Sequence, residues 1–324
     1  MNLVAEPVYL DSFLAPLATW LSRSDITDIY INRPGEIWIE LLGGQIERHQ
    51  TPALSQSALL RLARQIAASS AQGINREAPL LAASLPDGSR VQIVLPPATR
   101  GEVAIAIRRH VSAGLSLDAW AGQGAAPDPV KIDAGGSGHA AADALSPIDQ
   151  LRSAVRARKN ILISGGTSSG KTTFLNALLQ EIPQSERLIL IEDAPELQLQ
   201  HENSVGLIAT RGSMGEADVS AEDLLIAALR MRPDRIILGE VRGSEALTFL
   251  RAVNTGHPGS ISTIHADSPD RAIDQLALLV LASGSNLSFA NATDYITRSI
   301  DLIVQLERVG GERRIQWIKS FKPL

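Results

Sequence analysis

The chain has 324 residues, 44% of them apolar and 20% charged, the composition of a folded globular protein of about two domains and not of a disordered or collagenous one. It contains no cysteine, which excludes a disulfide framework, thiolate metal sites and cysteine nucleophiles. The formal charge is −5, with 10 basic and 11 acidic side chains in residues 1–118 and 20 and 24 in the remainder, so there is no basic surplus with which to neutralise nucleic-acid phosphates, and direct nucleic-acid binding is not expected.

The amino terminus, Met-Asn-Leu-Val-Ala-Glu-Pro, lacks the basic start and small-residue cleavage site of a secretory signal. Ile29 and Ile31, then Ile37 and Ile39, alternate with polar neighbours on either side of Asn32-Arg33-Pro34-Gly35, which predicts two strands joined by a tight turn. Residues 55–72 place Leu59, Leu60, Leu62, Ala63 and Ile66 at helical spacing. Val91 to Leu95 and Val103 to Ile107 again alternate apolar and polar residues. Residues 1–118 are therefore expected to form a small α+β domain.

From Ala121 to Leu145 the chain has five Gly, eight Ala and two Pro and almost no large apolar side chain. Such a stretch buries little surface, and residues 119–146 are read as an Ala/Gly-rich linker, the alternative being an inserted surface loop. Residues 147–324 then show short continuous apolar runs separated by helical patterns. Ile161 to Ile163, Leu188 to Ile191, Ile236 to Leu238 and Ser260 to Ile264 suit strands buried on both faces of a mainly parallel sheet. Helices are predicted over Thr172 to Ile182 and after Ser268-Pro269, where Ser caps and Pro takes the first turn. The longest apolar run, Leu276 to Ala282, is far short of the roughly 18 residues of a membrane span, so a peripheral association is possible and a spanning one is not. Ile300 to Leu306 and Arg314 to Ile318, around Gly310-Gly311, read as a hairpin.

Gly165-Gly166-Thr167-Ser168-Ser169-Gly170-Lys171-Thr172 fits the phosphate-loop pattern G-x-x-x-x-G-K-[ST] and stands between a predicted strand and a predicted helix, the context that the motif requires. The loop backbone would turn its N–H groups toward phosphate, with the helix amino terminus adding partial positive charge. Lys171 would reach the β and γ phosphates of ATP, and the Thr172 hydroxyl would ligate Mg²⁺. Polar groups follow three other apolar runs directly: Glu192-Asp193, Glu240 and His265. A lone carboxylate after a strand more often caps a helix, and a lone histidine is more often structural. Four strand ends meeting at one phosphate loop override those readings, because ligands of open parallel sheets lie beyond the carboxyl ends of the strands.

Hydrolysis needs an in-line water and a carboxylate that orients it or takes its proton. Glu240 is the expected base. Gly239 stands where an acid commonly precedes it, leaving the metal-water role to Glu192 or Asp193. His265 could sense the γ-phosphate or serve as a hydrogen-bond donor near a hinge.

Ile163 to Thr173, Leu190 to Leu197, Leu229 to Gly243 and Thr255 to Ala266 resemble the Walker A, Asp box, Walker B and His box of the type II/type IV secretion ATPase family, and the domain lengths are most similar to its type IV secretion traffic ATPases. The resemblance implies a RecA-like P-loop domain in residues 147–324 and a homohexamer at the cytoplasmic face of the inner membrane. It further implies ATP hydrolysis that drives pilus biogenesis and substrate export alongside channel components and a coupling ATPase. It carries Walker A roles to Lys171, Thr172 and the following Thr173, Asp-box roles to Glu192 and Glu196, the Walker B role to Glu240 and the His-box role to His265. Arg90, with Arg108 or Arg109, looks like the family's amino-domain arginines, whose guanidinium forks suit phosphate. Arg230, Arg232 and Arg242 are further candidates. Zero cysteines rule out the tetracysteine zinc element common in pilus-extension and type II members. Retraction and tight-adherence ATPases stay open as alternatives, as do a nucleotide-gated scaffold and a DNA-translocating motor.

Overall fold

The computed structural model describes residues 8–70, 72–109, 114–120, 130–134, 145–210 and 218–322. Its contacts divide the chain into two units, the first comprising Met1–Val111, Ala194–Glu196 and Thr210–Val219, the second Ser112–Asp193, Leu197–Ala209 and Ser220–Leu324.

The first unit is α+β, as expected. It runs α1 (Val8–Leu14), α2 (Ala18–Leu21), β1 (Ile26–Ile31), β2 (Glu36–Leu41), β3 (Ile46–Gln50), α3 (Gln56–Ser69), β4 (Leu80–Ser84), β5 (Arg90–Val94) and β6 (Ala104–Arg108). The strands form an antiparallel sheet in the order β3-β2-β1-β6-β5-β4. Alternate residues Ile29, Ile31, Ile37, Ile39, Val91, Ile93, Ile105 and Ile107 are buried in one cluster with Leu59, Leu62, Ala63 and Ile66 of α3. The period of two on the strands and the 3.6 spacing on the helix thus meet in one core. On β2, Glu36 is held by Arg33 and Arg48 and by the Trp38 indole N–H, and with Arg33 foremost these donors lower its carboxyl pKa to about 2.

The second unit begins with a short 3-10 turn at Leu117–Trp120 and β7 (Lys131–Ala134). It continues with α4 (Pro147–Arg156), β8 (Ile161–Gly165), α5 (Lys171–Leu179), β9 (Leu188–Glu192), β10 (Ser204–Ile208), α6 (Ala221–Arg230) and β11 (Arg235–Leu238). It ends with α7 (Glu245–Asn254), β12 (Ile261–Ile264), α8 (Pro269–Ala282), α9 (Phe289–Ser299), β13 (Leu302–Val309) and β14 (Glu312–Ser320). The sheet order is β10-β9-β11-β12-β8-β13-β14-β7, parallel from β10 to β13 and closed by the antiparallel β13–β14 hairpin. β8, β9, β11 and β12 are buried at every position. Cores on the two faces explain this: α6 to α9 pack on one, α4 and α5 on the other. Ser268 caps α8 by accepting the Arg271 N–H at 3.2 Å, with Pro269 in the first turn.

The stretch expected to be a linker contributes to this sheet. Lys131–Ala134 pairs in parallel with β14, and Trp120 packs edge-on against Phe174 of α5, centroids 4.9 Å apart. A polar strand whose Ile132 stays exposed gives no hydrophobic signal, so composition hid it. Residues 121–129 and 135–144 of the expected linker lie outside the described residues. No helix among the described residues is long and apolar enough to cross a membrane.

Candidate functional site

The phosphate loop connects β8 to α5, the arrangement that the motif demands. Gly170 caps α5 at φ 92°, a left-handed backbone, and a β carbon there would lie 2.7 Å from Cδ of Arg313 and 3.1 Å from the Trp120 ring. Both the dihedral and the space call for glycine. The Lys171 ammonium donates to the carbonyls of Gly165 at 2.9 Å and Gly166 at 3.2 Å, and to Nδ1 of His265 at 3.2 Å. Ser169 closes the loop with a 2.9 Å bond from its hydroxyl to the Gly166 carbonyl. Ammonium groups only donate, so Nδ1 of His265 accepts and its proton sits on Nε2, which faces the Thr167 hydroxyl at 3.4 Å. The turn behind His265 is anchored by Ser164 and Gln305, each donating to the Ala266 carbonyl at 3.2 Å.

In the sheet order β9-β11-β12-β8, the residues leaving the carboxyl ends are Glu192-Asp193, Glu240, His265 and the loop itself. Glu192 is buried, and its Oε2 accepts the Leu197 N–H at 2.7 Å. A β carbon on Gly239 would stand 3.5 Å from Cγ of Glu192 and 3.4 Å from the Ile191 carbonyl. An acid at 239 would therefore crowd Glu192 with like charge; glycine leaves that ground to Glu192. Hydrogen bonds hold the three strand ends together: Gly239 N–H to the Ile191 carbonyl, Thr263 hydroxyl to the Gly239 carbonyl and Val241 N–H to the Thr263 carbonyl, all between 2.8 and 2.9 Å. Arg242 pairs with both Asp193 and Glu240.

The arginines separate. In the first unit, Arg90, Arg108 and Asp28 are successive register partners across β5, β6 and β1, and Arg90 forms an ion pair with Glu196. Arg109 follows directly after β6. Its guanidinium donates to the backbone carbonyls of Arg23 and Ile26. Arg230 and Arg232 lie at the amino end of β11, opposite to Glu240, and do not join the cluster. Three residues beside the loop and the strand ends escaped sequence reasoning. Arg313 of β14 reaches the Thr173 hydroxyl at 3.4 Å, Trp120 lies against the loop, and the buried Glu245 accepts the N–H groups of Arg242 and Gly243. Only Glu245 left a trace, as an acid in the first turn of a helix.

The model of the type II/IV secretion system protein family matches residues 12–311. The type IV secretion system protein PtlH of Bordetella pertussis is 42% identical over 319 residues, covering 94% of this chain and 91% of PtlH. VirB11 of Bartonella henselae is 37% identical over 321 residues, covering 93% and 90%. In fold, the chain is similar to the ATPase DotB of Legionella pneumophila, with a TM-score of 0.62 at 19% identity over 97% of this chain and 80% of that one. With the family match spanning most of its length and relatives of this identity along nearly all of it, the chain belongs to the type II/IV secretion system protein family, as an ATPase of type IV secretion.

Proposed function

We propose that this ATPase hydrolyses ATP with Mg²⁺ at the carboxyl ends of β8, β9, β11 and β12. The observation that carries the reading is the loop of residues 165–172, with Lys171 turned onto it, standing beside strand ends that deliver Glu192, Glu240 and His265. The loop N–H groups, including those of Thr167, Ser168 and Ser169, and the start of α5 up to Thr173 bind the phosphates, and Lys171 pairs with the β and γ groups. Glu240 orients the attacking water and takes its proton. His265, held between Lys171 and Thr167, is placed to exchange its partners for the γ-phosphate. Arg90, with Arg108 or Arg109, would be a guanidinium donor to the nucleotide.

The donor set fits Mg²⁺. The Thr172 hydroxyl and the Glu192 and Glu240 carboxylates are hard oxygen donors, and Mg²⁺ normally binds through one or two protein oxygens, water and phosphate. The Thr172 hydroxyl and, through water, Glu192 and Glu240 would hold it, and it would supply charge neutralisation on the phosphates. The chain would act as a homohexamer, peripheral to the cytoplasmic face of the inner membrane, energising pilus biogenesis and export beside channel proteins and a coupling ATPase. Family membership supports this assembly, which mass photometry of the purified protein with ATP would test.

For the chemistry, Lys171→Ala should abolish ATP binding, and Glu240→Gln should bind ATP while turnover falls on the order of 10²-fold or more. Full turnover by Glu240→Gln removes the base assignment, and undiminished ATP binding by Lys171→Ala removes the site.

A further inference from the structure

Arg242 lies two residues beyond Glu240, on the loop that leaves β11. Its guanidinium forks between carboxylates from neighbouring strands, Nη1 donating to Oδ2 of Asp193 at 3.1 Å and Nη2 to Oε2 of Glu240 at 2.5 Å. The backbone beneath it is pinned. Glu245, 3% exposed, accepts the N–H of Arg242 at 2.7 Å and that of Gly243 at 2.8 Å through one oxygen.

Because β9 and β11 are hydrogen-bonded neighbours, Asp193 and Glu240 bring two like charges to adjacent strand ends. The Arg242 fork offsets their repulsion, and its planar geometry sets the orientation of each carboxylate, which a lysine point charge does not. It takes one oxygen of Glu240, Oε2, and so sets the direction in which the carboxylate points.

We propose that Arg242 is a positioning residue for hydrolysis: it fixes the orientation of the Glu240 carboxylate and contributes little to holding the nucleotide. The inference rests on the reading of Glu240 as the base. The test is a double-mutant cycle in the full chain, comparing wild type, Arg242→Ala, Glu240→Gln and the double variant, with Arg242→Gln in parallel as a near-isosteric replacement. Single-turnover ATP hydrolysis and equilibrium binding of a fluorescent ATP analogue are measured for each.

Arg242→Ala and Arg242→Gln should slow hydrolysis by roughly 10- to 100-fold on the wild-type background, with the Kd for the analogue within about threefold, and Arg242→Lys should restore part of the rate. On the Glu240→Gln background the same change should alter the rate by less than about twofold, because the carboxylate that Arg242 orients is already gone. Equal fold losses on both backgrounds, no loss on either, or a weakened Kd that accounts for the whole rate loss would each overturn the proposal while leaving Glu240 as the base. Wild-type turnover by Glu240→Gln alone is a different failure, since it removes the base reading on which the proposal stands.

Discussion

Replacement of Arg235 by methionine probes the end of the sheet away from the phosphate loop. Arg235 opens β11 and is 0% exposed. Its Nε and Nη2 donate to the two oxygens of Glu186 at 2.7 and 2.8 Å, and its Nη1 to the Val155 carbonyl at 2.7 Å. Breaking a buried pair by removing one partner costs about 3–5 kcal/mol, because the remaining charge stays buried. Arg158 still reaches Glu186 at 2.9 Å from a partly exposed position, which places the expected cost at the lower end, about 3 kcal/mol. For a unit of this size that is a drop in Tm of roughly 6–12 °C. Calorimetry on the full chain would read it in the transition that ATP shifts upward, the one belonging to the nucleotide-binding unit. Glu186→Leu combined with Arg235→Met should recover most of the loss, since an apolar pair of similar volume carries no desolvation penalty. The Arg235 guanidinium is the first cause that holds the Glu186 carboxyl below its ordinary value of 4.5. The stabilisation is therefore complete above that value and is lost as pH falls through the lowered one, so the gap between wild type and Arg235→Met should close on acidification. A Tm drop below about 2 °C, or a double variant no more stable than the single, would refute the reasoning.

Two further outcomes follow from the loop and its neighbours. The Trp120 ring lies within 3.1 Å of the β-carbon position of Gly170, so ATP should change tryptophan emission, and Trp120→Phe should remove that change while ATP still binds by an independent assay. Gly239→Ala places a methyl at ordinary contact distance, 3.4 and 3.5 Å, and should keep turnover within about threefold, whereas Gly239→Asp sets a second charge against Glu192 and should lower turnover by at least about tenfold in a phosphate-release assay, with unchanged melting.

Where the chain's own chemistry is local, the sequence was readable. Continuous apolar runs located β8, β9, β11 and β12 because helices cover both faces of those strands, and the strand and helix flanks made the phosphate loop legible as a site. Polar or half-exposed strands at the sheet edges were not readable. Ser204–Ile208 and Lys131–Ala134 each pair with a single neighbour and need no apolar face to do so. The contacts of Arg109 were not readable for a related reason: nothing in sequence marks a guanidinium that donates to backbone carbonyls. Trp120 and Arg313 stayed hidden because 50 and 143 residues separate them from Gly170, and only the fold brings them to it.

The two ends of the parallel sheet use the same pair of groups for opposite purposes, and burial decides which. At the amino ends, Arg235 is wholly inaccessible and saturates Glu186, so opening that pair would strand a charge without water, and the pair acts as a fixed part of the fold. At the carboxyl ends, Arg242 and Glu240 have side chains 43% and 23% accessible, so solvent screens the pair and removing it costs the fold little. Lys171 behaves like the second pair. Its ammonium donates to two carbonyls and one imidazole nitrogen, each a weaker acceptor than a phosphate oxygen bearing full charge. At the proposed site a phosphate would therefore draw on hydrogen bonds that can be exchanged without opening the buried Arg235–Glu186 pair at the other end of the same strands.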